Sequence, residues 1–438
     1  MRAGKRRGGG AGDGGVESGI VTDLDVVVVG AGAAGIGAGL ELRDRGLSFV
    51  ILEAAGRVGG RGFTDRVSLP VPWDHGCHWL HSADINPLVP WADRLGAVYA
   101  REEREDHFAI WQAGRFATPD ELVEAQGCTL AAFGAIEAAA TEGRDVSIGA
   151  LLPQAGRWAA GVRCVMQTMV GADPEEVSAT GYWEYEDSDV NWPVLSGYGD
   201  LIAAMAAALP VRTGVAVTGI GERAGAVEIE TGGGTIRARA AIVTVSTHVL
   251  ASGAIGFAAG PAAAVPEIVA DLPCGRYEKV ALAVEALPPE AVGKIFCMVD
   301  PGGGARAVDF QVMAGEVPVL VAHLAGDSGG DAVYAGPAAM IAAATERLVL
   351  AFGSGFRRKI VAAGATGWIH DPLIGGSYAH ARPGAAHRRA EAIAAETGSI
   401  LFAGEAFSER WPGTAHGAYQ SGRDRARALA RRLGGSSA

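Results

Sequence analysis

Along this chain the first sharp pattern is an unbroken apolar, β-branched run, Val26-Val27-Val28-Val29, behind the acidic Asp23-Leu24-Asp25. A run that is apolar at every position predicts a strand buried on both faces, as in a parallel sheet. An Ala/Leu helical pattern follows, then a second apolar stretch from Ser48 to Leu52 that ends in Glu53. Farther on, "VRTGVAVTGIGERAGAVEIETGGGTIRARAAIVTVS" alternates apolar and polar positions between glycine turns and reads as a set of strands. "KVALAV" and "VPVLVAHL" also read as strands, "PAAMIAAATERLVLAF" (337–352) as a helix, and "SILF" as a strand near the end.

Between the first strand and its helix lie Gly30, Gly32 and Gly35 in G-x-G-x-x-G spacing. Gly30 permits the tight turn, Gly32 lets backbone N–H groups approach a pyrophosphate, and Gly35 lets helix and strand pack closely. The helix N-terminus attracts the phosphate charge, and Glu53 is placed to accept the ribose hydroxyls. In a chain with 65 glycines the motif alone carries little weight. Strand, turn, helix, strand and acid in that order identify a dinucleotide site. Gly30, Gly32, Ala33, Ala34, Gly35, Glu53 and Ala54 are its candidate contacts.

The length of 438 residues predicts two domains, and 49% hydrophobic with 20% charged residues fits a globular enzyme. A net charge of -12 argues against a nucleic-acid partner and is compatible with a cationic substrate. Five cysteines without a C-x-x-C pair predict neither a disulfide framework nor a thiolate zinc site, which points to a reducing cytosol and a cytoplasmic protein. No uncharged apolar run is long enough to predict a membrane anchor. Residues 1–22, basic but without an apolar stretch behind, read as a disordered leader.

Beyond Glu53 stands Gly56-Arg57-Val58-Gly59-Gly60-Arg61, and near the end "AGEAFSERWPGTAHGAYQSG" (403–422). These elements resemble those of the flavin amine oxidases of the monoamine and polyamine oxidase type, and the likeness spans nearly the whole chain after the leader. The resemblance implies an α/β fold with a discontinuous, Rossmann-like FAD-binding domain (23–82, 196–262, 397–433) and an α+β substrate-binding domain (83–195, 263–396). It implies that Arg57, Gly59, Gly60 and Arg61 contact the FAD phosphates and flavin, and that Val215 reaches the adenine side through its backbone. It further implies that Glu405 lies near the pyrophosphate and ribose, and that the N–H groups around Thr414 and Ala415 face flavin N1 and O2. A helix start suits that last role, because reduced flavin carries negative charge near N1. The family's usual Pro near Ser246 is absent.

At the reacting end, Lys279 in "LPCGRYEKVALAV" matches the family lysine that holds a water beside flavin N5. Gly375-Gly376-Ser377-Tyr378 matches the stretch where monoamine oxidases carry a flavin-tethering Cys and a Tyr. Ser377 cannot form that thioether, so FAD is expected to bind noncovalently, with Tyr378 as one wall of an aromatic slot. The second tyrosine of that slot is replaced by Thr414, and Trp411 is a candidate substitute. Gly76-Cys77-His78-Trp79-Leu80-His81, Asn86-Pro87 and Thr414 are similar to the spermine and acetylpolyamine oxidase branch. His78 is the candidate group that orients substrate or takes a proton from an ammonium. His75, His78 and His81 with Cys77 could instead suggest metal ligands, but the glycine interruption argues against a converging site, and no metal is expected. Glu184, Glu186, Asp187 and Asp189 in "YWEYEDSDVNW" either attract a cation or form a solvated acidic loop. The reading is oxidation of an amine, with polyamine preferred, by hydride transfer to flavin N5, with O2 reduced to H2O2. A flavin desaturase or porphyrinogen oxidase is one alternative, and an inactive FAD-containing scaffold is another.

Overall fold

A computed structural model describes residues 21–101, 107–223, 225–395 and 398–434. The leader read over residues 1–22 lies outside these except for its last two residues, which open the first strand, Val21–Val29. That strand is the centre of an eight-stranded sheet. It pairs in parallel with Phe49–Glu53 on one side and with Gly234–Val243 on the other. Beyond Phe49–Glu53 lies Val211–Thr213, also parallel, while Ile400–Phe402 adds a parallel strand to Gly234–Val243. The antiparallel hairpin Val217–Arg223 and Ala226–Thr231 extends the other edge.

Two helices cover one face of this sheet: Ala33–Asp44, which follows the glycine turn, and the long C-terminal helix Ala415–Gly434. They cross closely because glycine stands at the contact; a Cβ on Gly422 would lie 1.9 Å from the Ala34 carbonyl oxygen. The buried carboxylate of Glu41 holds the pair together, accepting from Arg423 and Arg427 of the C-terminal helix and from Arg45. The start of the first helix is thereby set against Gly422, inside the last helix.

A second sheet of seven strands stands apart from the first. Its order is Ile360–Ala365, Tyr277–Val284, Val319–Ala325, Val308–Met313, Phe296–Asp300, Phe108–Gln112 and Arg115–Phe116. One face is apolar: Val280, Leu282, Phe310, Leu320 and Ala322 pack with Met340, Ala344 and Leu348 of the helix Pro337–Phe352. The other face carries Tyr277, Lys279, His323 and Asp309 and is partly roofed by the helix Ala159–Val170. Alternation along strands thus separates a dry core from a polar floor. Cys77, Cys128, Cys164, Cys274 and Cys297 are all free thiols. Among the described residues no helix is long and apolar enough to cross a membrane.

Candidate active site

The glycine turn is shaped by backbone contacts that exclude side chains. Gly30 has φ of +103°, and a Cβ on Gly35 would sit 1.9 Å from the Gly30 carbonyl oxygen. A Cβ on Gly32, by contrast, would meet nothing within 4 Å. Gly32 is also the N-cap of the helix Ala33–Asp44, and no side chain caps its first N–H groups. That is the backbone geometry a pyrophosphate requires. Glu53, at the end of Phe49–Glu53, accepts from the N–H of Ala31 (2.7 Å) and of Ala55 (2.8 Å), which fixes its carboxylate against the turn with Ala54 between. Val215 donates its N–H to the Glu53 carbonyl (2.9 Å) and so joins the same edge.

The second glycine segment zips onto the first. Gly59 donates to the Ala31 carbonyl (2.8 Å), and a Cβ on Gly60 would lie 3.4 Å from the Gly32 Cα. Arg57 bonds back to the Gly60 carbonyl (2.8 Å) and lies over the Phe63 ring at 4.4 Å. Burial depresses the Arg57 pKa, against the pull of Glu53 and Asp371. Arg61 reaches across the chain to the Ser377 carbonyl and to Glu405 Oε1 (2.9 Å). Burial opposes its charge, but Glu405 and the neighbouring thiols outweigh this and raise its pKa. Glu405 Oε1 also accepts from Ala379 N–H (3.0 Å), whereas its Oε2 is buried without a partner. A buried carboxylate oxygen left open beside an open helix start fits a ligand that brings hydroxyl donors and phosphates, as FAD does. Thr414 closes the set: its hydroxyl accepts from Gly417 N–H (2.9 Å), capping the helix that begins at Ala415.

Lys279 sits in the middle of the polar floor, on a strand paired on both sides, and is 9% exposed. It is therefore not a solvated edge charge. Its Nζ donates to the carbonyls of Gly76 (2.6 Å) and Asp74 (3.4 Å). Burial pushes its pKa down, against the attraction of Asp74 and Cys77. The same segment holds His78, whose Nδ1 lies 3.1 Å from Asp74 Oδ2. Asp74 is the hub that sequence reasoning passed over. Its carboxylate accepts from Thr64, from His78 and from the N–H groups of Tyr198 and Gly199. Burial opposes its charge, but those bonds prevail and hold its pKa below the usual range. The only signal in the sequence was an acid at the head of "DHGCHWLH".

The three histidines of that segment do not converge. His75 pairs with Asp65 (3.2 Å), His78 with Asp74, and His81 with Asn191 (2.6 Å). Tyr378 is fixed by its hydroxyl, which donates to the carbonyl of Thr168 (2.8 Å) at the end of the roofing helix. The ring that faces it is Tyr277, at 6.2 Å and 74°. Trp411 instead packs against His416 at 5.0 Å with the rings tilted by 60°, beneath the Arg410 guanidinium. From Tyr277 an unbroken arc of rings continues through His323 (5.7 Å), Phe296 (6.2 Å), Trp79 (6.4 Å) and His78 (5.7 Å). Tyr277, His323 and Phe296 carried no motif. In the acidic loop, Glu184 is paired with Arg389 (2.6 Å), Glu186 is bound by Arg410, and Asp187 takes its own loop's N–H at Asp189. These acids tie the loop down.

A family model for flavin containing amine oxidoreductases matches residues 129–430, and one for an NAD(P)-binding Rossmann-like domain matches residues 28–95. The chain belongs to the flavin-containing amine oxidoreductases. It is 28% identical to polyamine oxidase 2 of Arabidopsis thaliana over 91% of this chain and 86% of that protein. It is 24% identical to human lysine-specific histone demethylase 2 over 91% of this chain and 52% of that one. Among solved structures, cyclohexylamine oxidase from Brevibacterium oxydans has the same fold, with a TM-score of 0.78 and 22% identity over 94% of this chain and 100% of that chain. This amine oxidoreductase is an FAD enzyme with a Rossmann-like α/β nucleotide-binding domain.

Proposed function

We propose that this oxidoreductase acts on polyamines, with FAD bound noncovalently and oxygen as acceptor. The observation that carries this reading is the arc of rings from Tyr378 to His78, with Lys279 buried at its foot. FAD held by these residues would supply the acceptor for a hydride from the carbon next to the substrate nitrogen, with O2 as the final electron acceptor. The domains are those read above, with the cradle built from Gly30, Gly32, Gly35, Glu53, Arg61, Glu405 and the start of the last helix.

A substrate amine arrives protonated and must become neutral before its C–H bond can give up a hydride. His78 is suited to that step: Asp74 accepts from Nδ1–H, so Nε2 keeps its lone pair. The rings of Tyr378, Tyr277 and Trp79 confine the substrate and exclude water. Lys279 holds a proton-donating ammonium at the carbonyls of Asp74 and Gly76, where it orders a water or oxygen species. Ser377 has no thiol, which supports noncovalent attachment. The 28% identity to a polyamine oxidase supports the substrate class.

The test is anaerobic mixing of the yellow protein with spermine, spermidine, acetylated polyamines and aromatic monoamines. Bleaching by the polyamines, with colour restored by air and H2O2 formed, is the expected result. Absence of bleaching with every amine would favour a desaturase-like or non-catalytic role.

A further inference from the structure

We propose that Asp309 and His323 form a subsite for a second, non-reacting ammonium, which makes the preferred substrate a linear diamine or polyamine. The proposal rests on the amine-oxidase reading and assigns to two floor residues the selection among amines. Lys279 pairs with His323, and His323 with Asp309, across adjacent antiparallel strands. The three therefore stand in one lateral row. Val308, Phe310 and Val312 turn into the opposite core, so Asp309 shares the floor with Lys279. Two strand spacings separate Asp309 from Lys279, roughly 10 Å. A flexible alkyl chain spans that distance.

His323 lacks a partner that a purely structural role would supply, and among the described residues the Asp309 carboxyl is met only by the Phe310 backbone N–H. No described side chain is hydrogen-bonded to, or ion-paired with, the Asp309 carboxyl. His323 is 5% exposed; its Nδ1 meets the Tyr277 hydroxyl at 2.5 Å, and its Nε2 is buried with no partner. With Nδ1–H donating to the tyrosine oxygen, Nε2 keeps its lone pair and is a buried acceptor that the protein leaves unmet and an ammonium N–H can fill. Burial keeps His323 neutral, helped by the charge of Lys279. Burial lifts the Asp309 carboxyl to about 7, against the Phe310 backbone N–H that it accepts, a cost that an ammonium beside it would remove. The flanking rings of Tyr277 and Phe296 offer π faces to the same cation. The two ends of the row make opposite demands. Nitrogen beside His78 and Lys279 must be neutral to react, whereas nitrogen beside Asp309 is held as a cation.

The experiment measures flavin reduction under nitrogen in the purified holoprotein. Linear α,ω-diamines are compared with n-alkylamines of matching carbon count, in wild type, Asp309→Asn, Asp309→Glu and His323→Leu. Wild type should prefer diamines and show an optimum chain length. Asp309→Asn should lower the diamine-to-monoamine ratio of kcat/KM by at least about tenfold, mostly through KM, and Asp309→Glu should keep the preference while shifting the optimum to shorter chains. A wild type indifferent to the second nitrogen overturns the subsite, as does an Asp309→Asn protein that retains FAD with its ratio unchanged; both leave the amine-oxidase reading standing. If no amine of either kind reduces the flavin, that reading fails and the subsite falls with it.

Discussion

The two ends of the site are built from different parts of the polypeptide. The proposed nucleotide cradle is mostly backbone: a glycine turn, two helix starts, and main-chain groups at Ala31, Gly59 and Ala379, closed by the carboxylates of Glu53 and Glu405. The floor proposed for the substrate is mostly side chain: Lys279, His323 and Asp309 in one row of a sheet, with rings along its margin. Backbone sites tolerate almost no change in local sequence, because what binds is the absence of side chains. A sheet floor accepts any residue that fits the layer, so it can be retuned without disturbing the fold.

That contrast can be broken most sharply at Gly35. A valine there would place its Cβ 1.9 Å from the Gly30 carbonyl and force the turn apart. Gly35→Val should abolish FAD retention, read as flavin per polypeptide after gel filtration. A yellow, full-occupancy variant would show that the turn is not the cradle. Lys279→Met is the counterpart on the floor: it should keep FAD yet slow reoxidation of the reduced flavin by about a hundredfold. Reoxidation at the wild-type rate would remove Lys279 from the chemistry.

The same contrast decides what could be read in advance. The strands around Val26–Val29, the glycine turn, Glu53 and the helix over 337–352 were legible because local period and glycine spacing encode them. The meeting of Arg61 with Glu405 was foreshadowed by the two segments, but not the bond itself, since 344 positions separate the residues. Asp74, Tyr277, His323 and Asp309 were not legible. Each gains its place through strand register or long-range packing, and a lone His in "VPVLVAHL" or Asp in "AVDF" looks like any other interruption of an apolar run. Trp411 shows the converse. It stood at the right distance from the motif, yet burial against His416 claims it.

A smaller effect is expected at Asp74, where side chain and backbone cooperate. Asp74→Asn keeps the shape but offers His78 an amide in place of a carboxylate, which loosens control of the tautomer. Flavin reduction by amine should slow by about tenfold at neutral pH, while FAD content stays near wild type. If the reduction rate is unchanged, His78 does not act through Asp74. The measurement also separates the two regions, since a cradle residue would lose cofactor before rate.

The smallest effect concerns what clamps the cradle's helices together. Glu41 lies between Arg45, Arg423 and Arg427; burial opposes its charge, but those three arginines hold its pKa down at about 2, against an ordinary value of 4.5. A carboxyl with a depressed folded-state pKa stabilises the fold fully above its unfolded value, and that stability is lost as pH falls through the folded one. The clamp is therefore intact above about pH 4.5 and weakens progressively towards about pH 2. Glu41→Gln should lower Tm by about 2–4 °C at neutral pH, and the gap to wild type should shrink as the pH is taken down through that window. FAD release should follow the same pH course, because the Ala33–Asp44 and Ala415–Gly434 helices carry both ends of the cradle. A gap between variant and wild type that stays constant with pH would mean that the arginines find other acids, and that the helix crossing at Gly422 alone holds the cradle in shape.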